Sequence, residues 1–182
     1  MTRYAAFLRA VNLGATRKAP SGMLRAVFEE LGFDEVATYQ TSGNVIFAAQ
    51  GETGEEALCR RIEAALADAL GFDVPVFLRG ERKLRAIASH EPFDPGAVER
   101  SKGKLQVDLL QGVPSAAART RVLAMAGGDD LLSVRGTELY WLPAGGLLDS
   151  ELDLDAITKL VGPGTRRTMG TIERIAAKFF DR

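Results

Sequence analysis

The sequence predicts an α+β fold: two tandem ferredoxin-like halves, each βαββαβ plus an extra helix, related by internal duplication. Three observations lead there. Apolar runs and helical stripes follow the order β-α-β-β-α-β-α twice along the chain. The two passes are separated by a stretch rich in breakers, PFDPGAVERSKG at 92–103. The composition, 46% hydrophobic and 26% charged over 182 residues, is that of a chain able to bury a real core.

The first pass opens with an apolar strand from about Arg3 to Val11. Leu24, Val27, Phe28 and Leu31 then fall at i, i+3, i+4 and i+7, an amphipathic helix started by Pro20-Ser21 and stopped by Gly32. Val36–Gln40 and Asn44–Ala49 read as strands joined by a turn at Ser42-Gly43. Leu58, Ile62, Leu66 and Leu70 mark a second helix ended by Gly71. Val74–Leu78 is a short strand, and Leu84, Ile87 and Ala88 trace a further helix.

The second pass repeats this. Lys104–Leu110 is a strand, and Pro114-Ser115 opens a helix that runs to Gly127-Gly128. Leu131–Arg135 and Glu138–Leu142 form a hairpin about Gly136-Thr137. Leu154, Ile157 and Val161 give a short helix, and Thr165–Arg167 is extended. Ile172, Ile175, Ala176 and Phe179 complete the pattern. The halves are assigned as 1–98 and 101–182. Aligning Leu84 with Ile172 places Arg79 opposite Arg167, one arginine where each half's last strand meets its last helix.

Net charge is −1, which argues against a generic nucleic-acid coat protein. The charge is nonetheless uneven. The first 28 residues hold five bases and no acid, and the stretch from Lys159 adds Arg166, Arg167, Arg174, Lys178 and Arg182. With a single cysteine, Cys59, neither an internal disulfide nor a cysteine-pair metal site can form. No segment reads as a signal peptide or a membrane span, so a cytoplasmic protein without membrane association is expected.

Four blocks carry a family likeness: FLRAVNLG (Phe7–Gly14), LRAVFEELGF (Leu24–Phe33), TYQTSGNVIF (Thr38–Phe47), and the late Thr165, Arg167 and Thr171. In these the sequence resembles the bacterial domain-of-unknown-function family 1697. The resemblance implies an α+β fold of two related ferredoxin-like halves and no particular activity. The chain departs from the family pattern at Ala10 and Ala15, where glycine is usual, and at Thr168-Met169-Gly170, where Asn-Trp-Asn is usual.

The candidate ligand-binding residues are Arg9, Asn12, Gly14, Arg17, Lys18, Ser42, Asn44 and Arg167. The loop after the first strand leads to a helix start, where backbone N–H groups and the helix dipole favour an anion. Arg9, Asn12, Arg17 and Lys18 would add donors around it, with Gly14 at the turn. The same loop is also what solvated turn chemistry would produce. Ser42 and Asn44 in TSGN would line the same edge, or simply make a turn. Arg167 could bind phosphate bidentately or pair with Asp149, Glu151, Asp153 or Asp155, and Thr168 caps the helix that follows.

Other constellations fail. DSELDLD has Leu154 and Leu160 where an EF-hand loop needs glycine and glutamate. His90 is the sole histidine and Cys59 sits on a buried helix flank, so no nucleophilic triad can be assembled. NVIFAA lacks the leading basic-Gly-aromatic element of an RNA-recognition strand, and Tyr4 and Phe7 point to opposite faces. The expectation is a binding module for a phosphate-bearing or other anionic ligand, a nucleotide or nucleic-acid segment, with no cofactor and no metal. The alternatives are an enzyme that positions substrate with Arg, Asn and Ser, its catalytic residues unknown, or a self-associating scaffold. Monomer and homodimer are both open, as is whether Thr165–Thr168 joins the first loop.

Overall fold

In a computed structural model, residues 1–51, 54–102 and 104–181 are described. Gly103, which ends the breaker-rich stretch, and Arg182, counted among the terminal bases, lie outside the described residues. The chain divides into two units, Met1–Ile87 with Ile175–Arg182, and Ala88–Arg174.

The first unit holds β1 (Thr2–Leu8), α1 (Ser21–Glu30), β2 (Asp34–Thr38), β3 (Asn44–Ala49), α2 (Glu55–Leu70) and β4 (Val76–Gly80), with α3 (Glu81–Ala88) following. Its four strands form an antiparallel sheet in the order β2-β3-β1-β4. The helical stripes Leu24, Val27, Phe28 of α1 and Leu58, Ile62, Leu66 of α2 lie on one sheet face. There they meet alternate strand residues Tyr4, Ala6, Leu8, Val45, Phe47 and Leu78. Burying each of the larger side chains stabilises by about 1.5–3 kcal/mol. Phe47 is the hub, with ring centroids 4.5 Å from Phe33, 5.2 Å from Phe28 and 5.5 Å from Tyr4. The other sheet face carries Ala5, Phe7, Ile46, Phe77 and Arg79, all buried as well.

The second unit holds α4 (Pro95–Arg100), β5 (Gln106–Leu110), α5 (Ala116–Leu123), β6 (Leu131–Arg135), β7 (Glu138–Leu142), a 3-10 turn (Leu147–Asp149), α6 (Leu154–Val161), β8 (Gly164–Thr168) and the start of α7 (Met169–Phe179). Its sheet runs β6-β7-β5-β8, again antiparallel. Val122 of α5 and Ile157 and Val161 of α6 pack on Leu110, Val134 and Leu139. Gly136, at φ 60°, opens the two-residue turn between β6 and β7, where a glycine is needed at the first central position.

The fold is therefore α+β, with two four-stranded antiparallel sheets and seven α-helices among the described residues. None of those helices is long and apolar enough to cross a membrane. Two expectations change. The 92–103 stretch is not only a connector: Asp94 accepts a hydrogen bond from the Ala97 N–H and Pro95 fills the first turn, so α4 forms there. Just past the end of α7 it is Phe180, at 0% exposure, that closes the apolar stripe, while Phe179 is half-buried.

Three hydrogen bonds recur at matching places. Leu8 N–H donates to Gly43 and Leu110 N–H to Thr137. Arg9 N–H donates to Pro75 and Gln111 N–H to Pro163. Arg79 Nη1 donates to Leu78 O and Arg167 Nη1 to Arg166 O, each 2.7 Å. One feature does not recur: residues 9–20 join β1 to α1, whereas only 111–115 join β5 to α5.

Candidate functional site

The long connection at 9–20 is built around Asn12. Its backbone is left-handed, φ 56°, a conformation that asparagine tolerates better than most residues. The amide then closes the loop: Nδ2 donates to Ala19 O at 3.2 Å and Thr41 O at 2.8 Å, while Oδ1 accepts from the Ala19 N–H at 2.9 Å. The Asn12 N–H donates to Arg17 O at 2.7 Å, so the loop folds back as a short bridge between Leu13 and Arg17. Gly14, φ 60°, turns at the exposed tip.

Arg17 fixes the loop from its other side. Nε donates to Ala10 O at 2.7 Å and Nη2 to Asp73 O at 2.6 Å, and the guanidinium lies 4.5 Å from the Phe72 ring centroid. These two donors are directed at carbonyls of the protein itself. Arg9 and Lys18 differ. Both side chains are exposed, and neither makes a hydrogen bond or an ion pair among the described residues.

The TSGN turn abuts this loop through the bond from Asn12 to Thr41. Gly43, φ 78°, is packed so closely that a Cβ there would come within 2.5 Å of Val11 Cγ2 and 2.9 Å of Leu8 Cβ. Asn44 is 1% exposed, and its Nδ2 donates to Tyr39 O at 2.7 Å and Ser42 Oγ at 3.0 Å. Ser42 is exposed at the surface of the turn. The structure thus brings Asn12, Ser42 and Asn44 to one edge, where both amides are engaged with protein groups. No side chain of this edge lines any of the three clefts described below.

Arg167 lies in the second unit, on β8 opposite Val107. It is 8% exposed, and Nη1 donates to Thr165 Oγ1 at 3.0 Å. Burial lowers its pKa to about 10, so it stays charged at neutral pH. Its neighbour Arg166 makes the exposed-side ion pair, bidentate to Asp108 at 2.8 Å, and lies 4.8 Å from the Trp141 ring centroid. Thr168 caps α7 as the sequence suggests, accepting from the Thr171 N–H at 3.2 Å. Cys59 donates its thiol to Val76 O, and burial pushes it up to about 11, which makes it a packing residue. Tyr4, Phe7 and Phe47 are all buried, which leaves none of them on a solvent face for stacking a base.

The described clefts are elsewhere. One of about 590 Å³ lies beside Arg3, Glu81 and Arg85 in the first unit, where those three side chains are already ion-paired. One of about 500 Å³ lies between α5 and α6. The third, about 530 Å³, lies in the second unit between the α4 segment and the start of α7, with His90 in its wall. Arg135 Nη1 sits 3.0 Å from His90 Nδ1, and the imidazole meets the Tyr140 ring edge-on at 5.0 Å. Guanidinium can only donate, so Nδ1 accepts and Nε2 carries the ring proton. Burial, then the Arg135 charge, lowers the His90 pKa. The breaker-rich composition of 92–103 hides this cleft in the sequence; the Asp94-Pro95 pair, a helix cap followed by proline at the first position, is the signal that marks one wall.

The family model described as "Protein of unknown function (DUF1697)" matches residues 1–140. Among solved structures, the conserved bacterial protein SP0830 from Streptococcus pneumoniae is similar over 97% of each chain, with 21% identity and a TM-score of 0.70. That likeness bears on the fold. No functionally curated protein matches the chain.

Proposed function

The chain belongs to the DUF1697 family, and from that premise we propose that it is a binding module for an anionic, phosphate-bearing ligand at the β1–α1 loop. We read the two sheets as ferredoxin-like halves of an internal duplication. The matching strand orders and the three recurring hydrogen bonds support that reading. Against such a duplication the 9–20 loop stands out as an addition to one copy. The observation that carries the functional reading is the division of labour within it. Asn12 and Arg17 hold the backbone in place, while the side chains of Arg9 and Lys18 present charge that no group among the described residues pairs with. A loop ordered in advance loses little conformational entropy on binding.

With two cations engaged, affinity should be modest and salt-sensitive. The expected slope of log K against log salt is about −1.4 to −1.8. Thermal shift with sulfate, nucleotides and a short single-stranded RNA tests this. Stabilisation by at least one of these, weakened roughly threefold to tenfold in affinity by Arg9→Ala or Lys18→Ala, is the expected result. The absence of any shift at millimolar anion would remove the proposal.

A further inference from the structure

The cleft in the second unit points to a different ligand. Its apolar floor is Phe93, Val98, Leu105 and Met169, the last two 6% and 5% exposed. Its volume, about 530 Å³, falls within the range of small-molecule pockets. Its rim carries both signs of charge: Glu91, Glu99 and Glu173, and Lys104. All four are exposed, and none of their side chains makes an ion pair or hydrogen bond among the described residues. Three other acids are ion-paired and so differ from them: Glu81 binds Arg3 and Arg85, Glu29 binds Arg25, and Asp108 binds Arg166. Arg174 adds a second cation to the rim, its Nη1 only 3.3 Å from where a Cβ on Gly170 would stand.

From this combination we infer that the cleft binds a small zwitterion with an apolar side chain, an amino acid or dipeptide. The floor takes the side chain, Lys104 the carboxylate, and the rim glutamates the ammonium. A polyanion such as a nucleoside triphosphate is disfavoured, because three carboxylates face two cations. A purely apolar guest would leave the charged rim without a role. The hydroxyls offer no substitute recognition: Ser101 Oγ donates to Pro143 O at 2.6 Å, and Thr168 Oγ1 is shared with Thr171. His90 adds a neutral Nε2–H to the wall. The site shares no residue with the 9–20 loop, so it stands or falls independently of the proposal above.

Isothermal titration of the full chain reads this directly, with L-phenylalanine and leucyl-phenylalanine as probes. Each probe is compared with derivatives lacking one feature: N-acetyl-phenylalanine without the ammonium, phenylalaninamide without the carboxylate, and glycine without the side chain. Zwitterion binding at millimolar affinity or tighter is expected, with each derivative weaker by about tenfold or more. Lys104→Gln should weaken L-phenylalanine by a similar factor and leave phenylalaninamide unchanged. Combined Glu91→Gln, Glu99→Gln and Glu173→Gln should weaken L-phenylalanine and leave N-acetyl-phenylalanine unchanged. No zwitterion binding at about ten millimolar, or equal binding of all derivatives, or tighter binding of ATP, would overturn the assignment. The derivative series uses the unaltered protein, so it decides the matter even if a variant misfolds.

Discussion

Ala10 and Gly43 occupy the same left-handed region of backbone space, φ 56° and 78°, and the chain treats them in opposite ways. At Gly43 the glycine is obligatory twice over, by its φ and by the nearness of Val11 and Leu8. At Ala10 an ordinary residue is held where a Cβ crowds the following carbonyl. Two substitutions of opposite sign follow. Gly43→Ala should destabilise by about 3 kcal/mol, the sum of strain and overpacking. Ala10→Gly should stabilise by about 1 kcal/mol or less, the relief of strain being partly offset by glycine's greater freedom in the unfolded chain. Urea denaturation of both variants checks the pair. At this scale the sequence was legible as to which residues are unusual and mute as to why. Asn12 and Arg17 look identical to ligand-binding residues in one dimension, because hydrogen bonds to carbonyls of Thr41 and Asp73 span 29 and 56 residues. The side chains of Arg9 and Lys18, by contrast, make no hydrogen bond or ion pair among the described residues.

Among the elements, periodicity served well where it was long. The stripes of α1 and α2 lie where the i, i+3, i+4 spacing puts them, because a helix laid on a sheet must bury one face. It failed for the six residues of α4, too short to show a period, where the local cap signal is the better guide. That helix and its preceding segment set the surroundings of His90, which is held neutral by partial burial and by the Arg135 guanidinium. The sign of the pH effect follows. A histidine whose folded pKa is depressed binds fewer protons folded than unfolded as the pH falls, so stability is lost on acidification. The loss should begin near pH 6.5, the unperturbed value, and continue until the folded imidazole protonates. His90→Gln should flatten that part of the curve. Denaturation midpoints measured from about pH 7.5 to about pH 5 on both proteins provide the comparison; equal slopes would contradict the assignment.

For the whole molecule, the double pass of β-α-β-β-α-β-α was visible in the sequence because each element has its own short-range signature. What lay beyond reach was the destination of the last residues. Phe180 is fully buried in the unit that contains β1, Arg3 Nη1 donates to Phe179 O at 2.8 Å, and Arg85 pairs with Asp181 at 2.8 Å. The Arg3 contact links residues 176 positions apart, which no local pattern encodes. Phe180→Ala should therefore cost about 3–5 kcal/mol, as for other large-to-small core changes, and calorimetry should show the loss although the residue stands near the end of the chain.

The unequal connections carry one more consequence. Residues 111–115 bridge β5 to α5 within a sheet ordered just like the one where 9–20 bridge β1 to α1. A five-residue span is therefore enough to join the first strand to the first helix above a sheet of this strand order. Shortening 9–20 to the length of 111–115 should therefore remove Arg9 and Lys18 while the sheet beneath keeps its register, an outcome that circular dichroism and urea denaturation of the shortened chain check.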